Sequence, residues 1–549
     1  MGIVPMQERG NDKKLSSLRS ILDIDALNST AYWDHKGLHR FDTNVSHPNI
    51  TLASMNNSTF LAAIDLGSNS FRLEIGRFDH GQIQRIDYLK ETVRLGNGFD
   101  EDRHLCLEAM TRGWDCLARF AERLSGFDAT QVRAVATQTL REAKNRDDFI
   151  KRGCKILGFP IEVIGGTEEA RLIYQGVSRL LPSSPERRLV IDIGGRSTEL
   201  VLGCGFDTLQ TASFRLGSVA WSMRYFPKGE LTEQAMYRAE IAAQAVLDES
   251  LTHFPRNQWD TAYGASGTVG AVAEILALAG WPKGQISRDG LNWLIKCMLR
   301  AGHVNNVQLE GLKDDRRAVI AGGVSVLRAL MELLSIDILQ VAQGALRHGV
   351  LYEMVERGVH ATDERDVSVQ RLIQKFAIDV VQAERVSQMA DRLAAQIMAD
   401  DMPGAVDLKR RLRWAALLHE IGMVISNSDY HKHGAYILEN ADTVGFSMSE
   451  LYRIGLLVLG HRGKLKKLDD GFEEFEFVVL LLALRLAVIL CHARQDPNDS
   501  GITLACHRQR FSLTVSDVWA ANYPQSMHLL RQECLAWQKT SWSFELLIR

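Results

Sequence analysis

The sequence predicts an α/β protein of two similar layered units, followed by a mainly α-helical region and a small α+β cap. Three observations lead there. The stretch IDLGSNSF at 64–71 returns as IDIGGRST at 191–198, each time directly after an apolar run. Strand-like and amphipathic helical segments alternate on both sides of that repeat, the pattern of layered α/β units. From about residue 363 the strand signals give way to apolar residues at helical spacing.

Taken in order, residues 1–58 are polar and aperiodic, rich in Asn, Ser, Asp and His, and read as a loosely ordered extension. Met55 lies just before the first strand and is an alternative translation start. The first unit, 59–178, opens with the strands FLAAID and FRLEIGRF and continues through the helix EAMTRGWDCLARFAERL to the strand VRAVAT. After a Pro/Ser/Glu/Arg turn at 182–188 the cycle restarts with RLVIDIGG, giving a second unit over 179–358. Residues 359–495 are expected to be helical, from QRLIQKFAIDVVQAERVSQMADRLAAQIMAD onward. Their most apolar run, VVLLLALRLAVIL from Val478, is interrupted by Arg485 and falls short of the roughly 20 apolar residues a membrane span needs, so it predicts a buried helix. Residues 496–549 regain short alternating strands and form the cap.

Composition narrows the class. The chain has 549 residues, 46% hydrophobic and 24% charged, with a formal net charge of −3, so no global basic field draws it to nucleic acid or an anionic membrane. Its eight cysteines show no C-x-x-C pair. The N-terminal residues offer neither the apolar core of a signal peptide nor a myristoylation signal, and a reduced cytoplasmic protein is expected.

The repeated turn has a physical reading. A strand ending in Asp-x-Gly sets an acidic side chain beside a tight glycine hairpin, whose backbone N–H groups share one concavity. That suits a phosphate next to a divalent cation. Gly67, Ser68, Asn69 and Ser70 in one copy, and Gly194, Gly195 and Ser197 in the other, would donate to phosphate oxygens, while Asp65 and Asp192 supply hard oxygens for Mg²⁺.

Two such hairpins, one per unit, resemble the actin-like (ribonuclease H-like) ATPase superfamily. The closer resemblance is to the exopolyphosphatase / guanosine pentaphosphate phosphohydrolase (Ppx/GppA) family, carried by DLGSNSF, TLREAKN at 139–145, GTEEARLIYQGV at 166–177, VIDIGGRSTELV at 190–201, GASGT at 264–268 and GALRHGVLYE at 344–353. The resemblance implies a two-lobed hydrolase that removes the terminal phosphate of inorganic polyphosphate with Mg²⁺ or Mn²⁺. Guanosine pentaphosphate hydrolysis, or alarmone sensing without turnover, are the alternatives. It implies Glu169 as general base, and Thr167 as the cap of its helix would let the helix dipole keep that carboxylate ionised. Glu199 assists the metal or orients water, and Arg141 binds phosphate. Ser266 and Gly267 open a further helix and offer a second anion pocket. Arg196 stands where the family often has a small residue, so it either binds substrate or points outward; Gln343 stands where the resemblance would place Asp, which leaves its loop's role open.

LLHEIG at 417–422 and HKHGAYIL at 431–438 resemble an HD-type metal phosphohydrolase. The pair is His419 and Glu420, however, and Gln382 stands where a first His is expected, so an HD-like scaffold with polar core histidines is the expectation. The basic residues Arg462, Lys464, Lys466 and Lys467, with Lys409, Arg410, Arg411 and Arg413, would line a polyphosphate path if the helical region folds over the cleft. The apolar helical surface suggests a homodimer.

Overall fold

The computed structural model describes residues 59–549, apart from 80–81, 183, 359–362, 399–401, 403 and 442. The extension expected at 1–58 lies outside the described residues. Two mixed sheets repeat one plan. In the first, β1 (Thr59–Leu66), β2 (Phe71–Asp79) and β3 (Gln82–Glu91) form an antiparallel meander, and β4 (Val132–Ala136) then β5 (Ile161–Val163) add parallel to β1, giving the order β3-β2-β1-β4-β5. In the second, β6 (Arg187–Ile193), β7 (Thr198–Cys204) and β8 (Asp207–Phe214) form the meander, β9 (Thr261–Gly264) pairs parallel to β6, and β10 (Gln285–Ser287) and β11 (Ile338–Val341) complete the order β10-β11-β9-β6-β7-β8. Both units place the Asp-x-Gly turn between the first two strands of a meander, which is the actin-like arrangement.

The strands at the centre of each sheet are buried on both faces, so they read as near-continuous apolar runs. On the outer face of the first sheet, α1 (Leu107–Arg123) buries Trp114, Leu117 and Phe120. The short α2 (Gln138–Glu142) follows β4 directly. The inner faces of the two sheets share one core with α3 (Gly166–Ser178), which carries GTEEARLIYQGV. In the second unit, α4 (Gly267–Leu278) and α5 (Ile320–Leu333) pack in that unit's own core. α6 (Leu346–Gly358) then returns to lie on α3 and β1. Glycines set that crossing: a Cβ on Gly176 would sit 2.7 Å from the Gly349 nitrogen, and one on Gly349 would sit 2.6 Å from the Leu172 carbonyl carbon.

The helical region contains α7 (Glu364–Lys375), α8 (Val380–Ala394), α9 (Ala405–Leu417), α10 (Tyr430–Asn440), α11 (Met448–Gly460) and α12 (Phe475–Leu490). Its core continues into the C-terminal sheet, β12 (Thr503–His507), β13 (Arg510–Val515) and β14 (Ser543–Ile548), over α13 (Pro524–Trp537). The apolar run from Val478 is the buried α12. Arg485 inside it is satisfied by a two-pronged pairing with Glu533 at 2.5 and 2.6 Å and by the Gly460 carbonyl. No described helix is long and apolar enough to cross a membrane.

Candidate functional site

The two turns are built alike. A Cβ on Gly67 would lie 2.9 Å from the Ser70 carbonyl oxygen, and one on Gly194 would lie 3.0 Å from that of Ser197, so a side chain at either position would crowd the turn. Strand register then decides what faces each aspartate. Across the first hairpin Asp65 lies opposite Arg72, and the Arg72 Nη1 donates to Asp65 Oδ2 at 2.9 Å. Across the second, Asp192 lies opposite Glu199. One turn therefore carries an ion pair and the other a pair of carboxylates.

Between the turns runs a cleft of about 430 Å³. Asp65, Gly67, Ser68, Asn69 and Ser70 line one side; Asp192, Gly194, Gly195, Ser197 and Glu199 line the other. Glu169, Ser266 and Gly267 also line it. Ser266 caps α4, its hydroxyl accepting from the Val269 N–H at 3.1 Å. Gln343 lies in the wall as well.

Burial dominates the electrostatics of the acidic groups. It pushes the Glu169 carboxyl up to about 7, against the opposing pull of the Arg141 guanidinium, with the nearby Asp65 and Asp192 raising it further. Burial also raises Asp192 to about 6, opposed chiefly by Arg72. Glu199 is held well above the usual carboxylate range by burial and by the charges of Glu169 and Asp192. It accepts from the Ser213 hydroxyl at 2.9 Å. Burial thus opposes the ionisation of Glu169 that the helix start was expected to favour. The helix start is corrected, because Gly165, in extended conformation, is the cap and Thr167 lies inside the first turn.

Several residues stand elsewhere than expected. Arg141 does not line the cleft; it sits behind Glu169, donating to Glu169 Oε2 at 3.2 Å, to the Ile164 carbonyl at 2.7 Å and to Gln138. Arg196 turns away from the cleft, donating to the Gly96 carbonyl at 2.9 Å and lying over the Phe99 ring. Arg462, Lys464, Lys466 and Lys467 are not among the cleft-lining residues either. Arg462 lies over the Tyr430 ring and the Lys467 ammonium donates to the Arg462 carbonyl at 2.8 Å, whereas Lys464 and Lys466 are exposed on the helical region. The cations that do line the cleft are Arg72, Lys90, Lys313, Arg316 and Arg347, none of which the sequence reading selected. Only Arg347, inside the GALRHG segment, carried a usable signal.

The donor set suits a hard divalent cation held through water. Asp65 and Asp192 present carboxylate oxygens to one cleft, and a cation there would offset the burial that raises the Asp192 and Glu199 carboxyls. Asp65, Asp192 and Glu199 do not form a preformed three-ligand cluster, since no such group of His, Cys, Asp or Glu occurs among the described residues. Mg²⁺ bound by one or two carboxylates, waters and substrate phosphates needs none.

Comparison with known proteins agrees with this geometry. The sequence matches the Ppx/GppA phosphatase family over residues 75–358 and domain III of that family over 365–534. It is 36% identical over 491 residues to the guanosine-5'-triphosphate,3'-diphosphate pyrophosphatase of Vibrio cholerae, covering 89% of this chain and 98% of the relative. To the protein of the same name from Pseudoalteromonas translucida it is 38% identical over 484 residues, covering 88% and 97%. A crystal structure of an exopolyphosphatase-like protein superposes with a TM-score of 0.51 at 25% identity, covering 55% of this chain and 100% of that one. With both family domains matched in order and the relatives covered almost end to end, the chain belongs to the Ppx/GppA phosphatase family, whose chemistry is the hydrolysis of a phosphoanhydride bond.

Proposed function

We propose that the chain hydrolyses the terminal 5' phosphoanhydride of guanosine 5'-triphosphate 3'-diphosphate, releasing orthophosphate. The observation that carries the reaction is the placement of one buried carboxylate, Glu169, at the first turn of α3 in a cleft walled by two glycine turns. The terminal phosphate sits between the turns, taking hydrogen bonds from their N–H groups and from Ser70 and Ser197. Glu169 removes a proton from water as the water oxygen bonds to the terminal phosphorus, and the bond to the bridging oxygen breaks. Arg141 keeps the Glu169 carboxylate aimed into the cleft. Asp65 and Asp192 would hold Mg²⁺, which would neutralise phosphate charge when bound. Lys90, Lys313, Arg316 and Arg347 balance the charge of the remaining phosphates.

The names of the relatives support the guanosine substrate over inorganic polyphosphate, to which the sequence motifs alone pointed. Polyphosphate is kept as a second reading because the exopolyphosphatase-like structure matches over its whole length. Parallel phosphate-release assays on both substrates at equal phosphate concentration decide between them; faster cleavage of long-chain polyphosphate would reverse the assignment. Glu169→Gln keeps the size of the base and removes its charge, so turnover should fall by about 10² to 10⁴ while substrate still binds. Near-normal turnover would remove Glu169 from the mechanism.

A further inference from the structure

Beside the cleft carboxylate stands a second glutamate that never meets the cleft. Glu168 is fully buried, and both its oxygens are engaged by Arg171, Nε at 2.8 Å and Nη2 at 2.8 Å. Arg171 Nη2 also donates to Glu353 on α6 at 2.8 Å. Glu353 in turn pairs with Arg133 of β4, which reaches Glu162 of β5 at 3.2 Å. Acidic and basic groups alternate along this chain, so each buried charge has a counter-charge; removing one would strand its neighbour.

One hydrogen bond leaves this network for the helical region. The Gly445 N–H donates to Glu168 Oε2 at 2.6 Å. Two residues on, Ser447 forms an isolated antiparallel bridge with Ile164. The Ile164 carbonyl is also held by Arg141, the residue that holds Glu169. The 445–447 turn thus grips the chain at 164 and at 168, on either side of the start of α3. It is itself rigid. Gly445 has φ +84°, and a Cβ there would meet the Arg365 nitrogen at 2.9 Å. Ser447 and Glu450 form a reciprocal cap on α11, and Glu450 pairs with Arg365 at 2.6 Å.

We infer that Glu168 is a positioning residue, tying the 445–447 turn of the helical region to the first turn of α3 and so fixing Glu169 in the cleft. This rests on the proposed role of Glu169 as base. Glu168 touches no cleft surface, so its effect on the reaction runs through the backbone it anchors. A displacement of about 1 Å at a catalytic group costs on the order of 10²-fold in rate.

The test uses the full-length protein with guanosine pentaphosphate as substrate. Glu168→Asp keeps the charge opposite Arg171 but cannot reach Arg171 and Gly445 together; Glu168→Gln keeps the reach and loses the charge. Both should lower kcat by about 10- to 100-fold with KM within about threefold, because the lost interaction serves the transition state. Hydrogen exchange at the amides of 166–170 should speed up. Glu162→Gln, at the outer end of the same ionic chain, should lower thermal stability yet leave kcat within about twofold. If Glu168→Gln does not fold, Glu168→Asp decides the matter. Wild-type kcat in Glu168→Asp, or an equal kcat loss in Glu162→Gln, overturns the inference. Glu169→Gln in parallel separates the two claims: if that variant loses turnover while the Glu168 variants keep it, the base stands and the clamp fails.

Discussion

Adding one methyl group where α3 crosses α6 tests whether the two helices act as one rigid support for the cleft. In Gly349→Ala the new Cβ would lie 2.6 Å from the Leu172 carbonyl carbon, 0.8 Å inside the 3.4 Å of ordinary contact, and closer still to the Leu172 oxygen. Those atoms are backbone, so no rotamer change relieves the clash and the helices must part. Overpacking of this kind costs about 1–3 kcal/mol, of which the better helix propensity of Ala returns about 1 kcal/mol. The net loss of stability is therefore small, about 0–2 kcal/mol. The kinetic effect should be larger. Glu169 lies one turn before Leu172 on the same helix, and a shift of about 1 Å there corresponds to about 10²-fold in kcat, or about 2.7 kcal/mol of barrier. Phosphate-release kinetics and a thermal unfolding curve on the same preparation measure both terms. Gly270→Ala calibrates the stability scale, because its Cβ meets nothing within 4 Å and should raise stability by about 1 kcal/mol. A Gly349→Ala protein with kcat within about twofold of wild type and an unchanged unfolding curve would refute the rigid pairing.

Activity should fall as pH drops through about 7, the value to which burial raises the Glu169 carboxyl, because the base works only when ionised; Mg²⁺ should move that limb lower, and a pH–rate profile with and without excess Mg²⁺ reads both. Asp65→Asn and Asp192→Asn should each raise the Mg²⁺ concentration needed for half-maximal rate, since an amide oxygen is a weaker hard-cation ligand, and unchanged Mg²⁺ titrations in both would contradict the two-sided cleft. Against the burial that would raise it, His348 and Arg347 hold the Glu74 carboxyl at about 2, below its ordinary 4.5. That contributes about 3 kcal/mol, present above pH 4.5 and lost as pH falls towards 2, so Glu74→Gln should flatten the acid limb of a stability–pH curve.

What the sequence made legible was local. Asp65, the Gly67–Ser70 turn and their second copy are defined by a few consecutive residues, and the need for glycine there is a need of the turn itself. The apolar runs of β1 and β6 likewise declare central strands without reference to anything distant. The register that opposes Asp65 to Arg72 follows once the hairpin length is known, but the different partner of Asp192 shows that the same turn can serve two charge patterns. Apart from Arg347 in the GALRHG segment, the cleft cations were not legible, because Lys90, Lys313 and Arg316 come from separate parts of the chain and each looks in isolation like a solvated surface charge. Gly176 and Gly349 lie far apart in the chain, and neither carries a mark of the crossing it permits. Arg141 was recognised as functional but assigned to phosphate, because sequence cannot say whether a guanidinium faces the ligand or the carboxylate behind it.

The helical region raises the same question of where polar groups are spent. Gln382 donates to the Cys491 carbonyl at 2.9 Å and accepts from Arg385 at 2.7 Å, filling the place of an expected histidine with an internal tie. Glu420 is paired with Arg494 at 2.7 Å, so its charge is already balanced by a cation from the chain. The Nδ1 atoms of His419 and His461 point to the carbonyls of Ala416 and Val458 at 2.7 and 2.6 Å, and burial drives both rings towards the neutral form. His419 and His461 pack edge to face with centroids 5.4 Å apart, and Tyr430 reaches His461 Nε2 at 3.3 Å. Gln382, Glu420 and the Nδ1 atoms of His419 and His461 are thus turned towards their own scaffold, while the buried His431 Nδ1 has no hydrogen-bond partner among the described residues. The ties that are made give this core rigidity. Rigidity is also what the 445–447 turn requires if it is to hold α3 in place, so the helical region contributes to catalysis through the backbone it presents to Glu168.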